Sequence, residues 1–174
     1  MKRIYLASAI ASLLLASPAA SAASSTFFSN LTGSWSGTGS AYLAKTGEIS
    51  ADCKLKIAGT DNRLSKQGSC GRFIFHQNLG FTLVNKAGNK YTGIYTGSKT
   101  GPAHLEGVLQ GNEMRLTITW GGLVNGDRTA KMTLRRTGPN SFAQTVVDQV
   151  AGKTRETSQF NFMRSQSVDQ ESPE

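Results

Sequence analysis

Along most of the chain, large apolar residues alternate singly with polar ones. Met114, Leu116, Ile118 and Trp120 are interleaved with Arg115, Thr117 and Thr119, Met132 and Leu134 with Lys131, Thr133 and Arg135, and Phe160 and Phe162 repeat the spacing. A period of two puts successive side chains on opposite faces of a strand, one toward a core and one toward water. Helical spacing is missing from almost all of the chain beyond Leu31. Turn-forming residues interrupt the alternation at Gly59 to Asn62, Ala87-Gly88-Asn89, Gly97 to Pro102, Gly111-Asn112, Gly121 to Asp127, Gly138-Pro139-Asn140 and Gly152-Lys153. They divide the chain into about eight to ten strands. Connections this short require antiparallel neighbours, because a parallel crossover takes about a dozen residues. The pattern predicts an all-β, antiparallel up-and-down meander closed into a small barrel, which removes the sheet edges. A two-sheet β-sandwich is the alternative.

The first residues depart from this pattern. Lys2 and Arg3 precede the apolar run Ile4 to Leu15, followed by Pro18 and the small triplet Ala20-Ser21-Ala22. That order is the secretory signal-peptide pattern, and the apolar run is too short for a permanent membrane helix. We therefore expect residues 1–22 to be a cleaved signal peptide, residues 23–164 one barrel domain, and the product to be periplasmic or secreted, without a transmembrane segment. Ser165 to Glu174 hold Asp169, Glu171 and Glu174 but no basic residue, and Val168 as the only large apolar side chain, so a disordered acidic tail is expected there.

The formal net charge is +8, and with an acidic tail the excess of positive charge falls on the body. A basic body attracts anionic glycan, lipopolysaccharide or phospholipid headgroups. Export makes cellular nucleic acid a poor partner. An outer-membrane barrel would need an apolar outward band with aromatic girdles. The segments here carry Lys, Arg and Thr on one face instead.

Both cysteines lie in the expected mature part, as suits an oxidising compartment. A tight hairpin turn at Asp61-Asn62, residue types that tolerate positive φ, places Cys53 and Cys70 at equal distance from the turn and directly opposite each other. Facing residues of an antiparallel pair have the separation that a bridge requires. A Cys53–Cys70 disulfide is expected, the alternatives being a free pair or a metal site. Two cysteines do not complete a tetrahedral site, and neither histidine has ligand spacing with them.

Gly33-Ser34-Trp35 opens the first strand and Arg164 ends the last, Phe160-Asn161-Phe162-Met163-Arg164. This resembles the signature of the calycins, the lipocalins and avidins, in which a Trp at the start of the barrel packs beneath a basic residue of the final strand. The resemblance implies a barrel-end plug of Gly33, Trp35 and Arg164, with guanidinium on indole. Leu31-Thr32-Gly33-Ser34-Trp35, Tyr91-Thr92-Gly93-Ile94-Tyr95, Leu105-Glu106-Gly107, Leu116-Thr117-Ile118-Thr119-Trp120 and Lys131-Met132-Thr133-Leu134-Arg135 are similar, in order, to avidin-type segments. Tyr95 and Trp120 match positions that wall the avidin pocket. The chain has only two Trp, Ser36-Gly37-Thr38 does not reproduce the polar set, and the cysteine hairpin is additional, which argues against biotin.

Catalytic patterns are missing. His76 and His104 are the only histidines, and neither sits in a zinc-protease, thiol-enzyme or serine-hydrolase motif. The Gly33 to Gly39 stretch lacks the Lys-Ser/Thr pair of a phosphate loop. No enzyme, cofactor or metal is expected. Two function classes remain. In the first, the exported protein acts in the cell envelope through a basic outer face, Arg115, Lys131, Arg135, Arg136, Lys153 and Arg155, on anionic glycan, lipid or a protein partner. In the alternative, it is a lipocalin-like carrier of a small amphipathic ligand walled by Trp35, Tyr95 and Trp120.

Overall fold

The computed structural model describes residues 26–165. The predicted signal peptide and all of the predicted tail except Ser165 lie outside the described residues. A short helix over residues 26–31 leads into ten strands: β1 Gly33–Leu43, β2 Gly47–Gly59, β3 Arg63–Arg72, β4 Phe75–Ala87, β5 Lys90–Thr96, β6 Ala103–Gln110, β7 Glu113–Val124, β8 Asp127–Gly138, β9 Ser141–Val150 and β10 Lys153–Arg164. Every strand pairs antiparallel with the one before it, and β1 also pairs with β10, so the sheet closes into a barrel. The sandwich alternative is thereby excluded.

Alternation sets the faces as expected. Met114, Leu116, Ile118 and Trp120 of β7 are buried, as are Met132 and Leu134 of β8 and Phe160 and Phe162 of β10, and together with inward residues of the other strands they form one core cluster. The ladder slips between Thr119 and Val124 and between Glu156 and Ser158, and at the second bulge Thr157 is also buried.

The cysteine hairpin has the expected register. Cys53 pairs with Cys70, their Cα atoms 4.1 Å apart, and the disulfide joins neighbouring strands with Cys53 buried in the core. One detail differs: neither Asp61 nor Asn62 has a positive φ. The turn is closed by a 2.8 Å bond from Thr60 N to Arg63 O, and the Asn62 carbonyl accepts from Asn85 N of β4.

That last bond is one of a set. Leu109 N donates to Asn89 O, Arg136 N to Asn112 O and Arg164 N to Asn140 O. The Asn89 and Asn112 amides donate in addition to Leu109 O and Arg136 O. Each Asn-bearing turn at this end of the barrel is thus tied to a later strand. The remaining turns, at residues 44–46, 73–74, 97–102, 125–126 and 151–152, lie at the far end.

Candidate functional site

The stitched end is filled from within. Phe27, Phe28 and Leu31 of the helix are buried, with Phe28 edge-on to Tyr91 at 5.3 Å. Trp35 packs on Phe142 at 4.9 Å, and its Nε1 donates to Leu31 O at 2.8 Å. Arg164 lies over the indole, Cζ 4.3 Å from the ring. Its guanidinium donates to Thr32 O, to Asn30 O at 2.7 Å and to Asn140 Oδ1 at 3.2 Å. A cation thus meets the carbonyl-rich C-terminal end of the helix, where unpaired acceptors and the dipole favour it. Gly33 has φ +134°, and a Cβ there would overlap the guanidinium. Ser165, assigned to the tail, still donates its N–H to Ser34 O.

Nearer the middle, the interior holds polar groups that were not singled out from the sequence. Lys66 of β3 is 1% exposed; its Nζ donates to Gln144 Oε1 on β9, across the barrel, and lies 4.9 Å from the Phe81 ring centre. Burial holds its pKa at about 7, far below the usual lysine value. Gln144, Asp148 and Thr157 are also buried. Burial pushes the Asp148 carboxyl upward, opposed by bonds from Gln149 N and Asn125 Nδ2. The signal for Lys66 was present: Leu64 and Lys66 share a strand face, as do Phe142, Gln144, Val146 and Asp148.

Toward the far end, Tyr95 and Trp120 meet edge to face at 5.9 Å. Burial raises the Tyr95 phenol pKa. Trp120 is buried, and its Nε1 has no hydrogen-bond partner within the described residues. Small side chains, Ala51, Ala103 and Ala130, are among the buried residues here, and Ala41 packs on the core. The structure therefore separates the expected aromatic trio: Tyr95 and Trp120 come together, whereas Trp35 sits in the plug at the other end.

The six basic residues do not form one patch. Arg115, Lys131 and Arg135 point outward from adjacent β7 and β8, where Arg115 pairs with Glu113 and Lys131 donates to Thr117 Oγ1 at 2.9 Å. Arg136, on the opposite strand face from Arg135, pairs in register with buried Phe142. Lys153 and Arg155 lie at the far end, Arg155 over the Tyr42 ring at 4.2 Å and 3.9 Å from Glu48. Outside β1 to β5 runs an open groove of about 1120 Å³, lined by Ser34, Ser36, Lys54, Lys56, Gln67 and Asn78 among others, with no carboxylate among its lining residues. His104 is on an outer face, 3.1 Å from Glu106. Among the described residues no cluster of His, Cys, Asp and Glu could hold a metal ion, and no helix is long and apolar enough to cross a membrane.

This architecture occurs in solved structures. The protein Rv2717c from M. tuberculosis superposes with a TM-score of 0.65 at 14% identity, covering 86% of this chain and 99% of its own. The fold is that of a calycin-like barrel. The S-type phycobiliprotein lyase CPES from Guillardia theta is also similar, with a TM-score of 0.59, 13% identity and coverage of 82% and 92%. No protein-family model matches the chain, and the search of curated proteins gives no match. At such identities the likeness speaks to the calycin-like fold alone; function must be argued from the residues.

Proposed function

We propose that this calycin-like barrel is a non-enzymatic carrier, exported to the envelope, that holds a small amphipathic ligand inside the half of the barrel away from the plug. The observation that carries the reading is the buried Trp120 indole N–H without an acceptor, beside Tyr95 in the half that the plug leaves open; the Tyr91 hydroxyl, also without a partner, is closed off against Phe28 of the plug. An unpartnered buried donor costs about 1–3 kcal/mol. A ligand oxygen would satisfy it, and the ligand's apolar part would lie against the two rings. Lys66 and Gln144 offer further polar contacts deeper in. The plug closes the other end, so entry is from the far end.

Native mass spectrometry of protein recovered gently from cells tests it. A retained small mass that survives high salt is the expected result. Added amphiphile should also quench Trp120 fluorescence in a Trp35→Phe variant, with little dependence on salt. A bare mass in every preparation together with unquenched fluorescence would overturn the proposal. A second reading, binding of anionic envelope polymer on the outer face, draws support from the β1–β5 groove, where Lys54 and Lys56 lie among Ser, Gln and Asn without an acid. That binding would fall steeply with salt.

A further inference from the structure

The two ends of the barrel differ chemically, independently of any ligand inside. Turns at the plug end carry Asp61-Asn62, Asn89, Asn112 and Asn140, each tied to a later strand, and no exposed large apolar residue. Turns and adjoining strand ends at the far end carry Phe73 and Ile74, 84% and 86% exposed, with Leu123, Leu43 and Ile49. Of the other exposed large apolar residues, Met163 and Val84 lie on outer strand faces toward the plug end and Ile94 on the outer face of β5, none of them at a turn tip.

The β3–β4 tip is the most telling. Arg72 pairs with Phe75, leaving Phe73-Ile74 as a two-residue turn, and Phe73 has φ +56°. Tight hairpins favour Gly, Asn or Asp in that conformation, and a bulky residue there is an outlier. Neither turn chemistry nor core packing accounts for Phe and Ile at this tip, because both side chains stand in solvent. Strain of this kind, where retained, points toward function. The Arg72 guanidinium lies 5.3 Å from the Phe73 ring.

Around the same end, Lys45, Lys99, Arg128 and Lys153 are exposed in or beside the other turns. Of the acids there, Asp127 is turned back on Arg128 N and Thr129, and Glu48 lies beside Arg155. Asp52 and Glu156 are set on the strands behind the turns. Exposed apolar tips interleaved with lysines fit a partner that is anionic at its surface and apolar just below it. A protein interface fits less well, since its core excludes lysine.

We infer that the far rim, led by Phe73 and Ile74 and flanked by Arg72, Lys45, Lys99, Arg128 and Lys153, docks on the surface of an anionic phospholipid bilayer. The apolar tips enter the headgroup and acyl boundary, and the cations remain among the lipid phosphates. Docking this way up would also turn the far end toward the membrane.

Co-flotation of the purified protein with phosphatidylglycerol-rich vesicles tests the inference, with neutral phosphatidylcholine vesicles as comparison. Wild type should float with the anionic vesicles and much less with the neutral ones. Replacing Phe73 and Ile74 with Ser should weaken binding roughly tenfold or more. Because both side chains are exposed, circular dichroism and the melting temperature should stay unchanged. Charge reversal of Lys45 and Lys99 should weaken anionic binding and leave any residual neutral binding alone. Failure to float with either vesicle, equal binding to both, or binding indifferent to the Phe73 and Ile74 changes would overturn the proposal. A concentration-dependent dimer abolished by Phe73→Ser would overturn it too, by assigning the rim to a second copy. Ligand retention in the mass measurement is read separately, so neither outcome decides the other.

Discussion

Lys66 is the residue on which the interior leaves its clearest energetic mark. Its pKa is lowered to about 7 in the fold from an ordinary 10.5. Below pH 7 both folded and unfolded chains carry the proton, and the cost of burying the charge is present in full. From about pH 7 to 10.5 the folded lysine is neutral while the unfolded one still takes up a proton, so stability climbs with pH across that window. Lys66→Met should remove the slope and raise stability at pH 6 by roughly 2–4 kcal/mol. Urea denaturation at pH 6 and pH 9.5 would check this; an equal gain at both would show that charge burial is not the cause. At the plug, Trp35→Ala should cost about 3–5 kcal/mol. Arg164→Ala should cost less, and the double variant should show coupling, since guanidinium and indole are in direct contact. Purely additive losses in a thermal double-mutant cycle would mean that the two residues stabilise the barrel separately.

Among elements, the cysteine hairpin shows how far a sequence reading reaches. One turn assignment placed Cys53 opposite Cys70, because register in a hairpin propagates unchanged from its turn. Loss of a bridge closing a loop of this kind costs about 2–4 kcal/mol. Reduction should therefore lower the melting temperature, and a calorimetric scan with and without reductant should show it. The strand faces were legible for the same reason: a period of two leaves little freedom. Less accessible were elements without the usual chemical punctuation. The turn at residues 73–74 contains neither Gly nor a Pro-Asn type pair, so the strands on either side gave no sign of ending, and at residues 44–46 the one cue is the Gly47 that follows, with φ +80°. The plug helix, residues 26–31, is too short for a period to emerge, and tertiary contact of Phe27, Phe28 and Leu31 holds it in place. As for the candidate site, alternation alone assigns Tyr95 and Trp120 to inward faces. Their contact depends on how neighbouring strands are staggered around the barrel, which no local pattern contains. The same holds for the Lys66 to Gln144 bond.

At the scale of the whole molecule, net charge was a weak guide. It was summed over a surface that the barrel divides into an outer groove, an outer face on β7 and β8, and two unlike ends. The sequence likeness of Gly33, Trp35 and Arg164 to a calycin plug was informative because it concerned distant parts of the chain that only closure brings together. That closure has a bearing on how the molecule assembles. Each strand meets its predecessor through a short connection, so nine of the ten ladders can form locally and early, while the β1–β10 seam joins residues as far apart as Trp35 and Arg164. Ladders between distant segments incur the largest loop-closure entropy and form late. Until the last strand emerges, β1 has an unpaired edge, and a nascent chain of this design is at its most sticky just before it is finished.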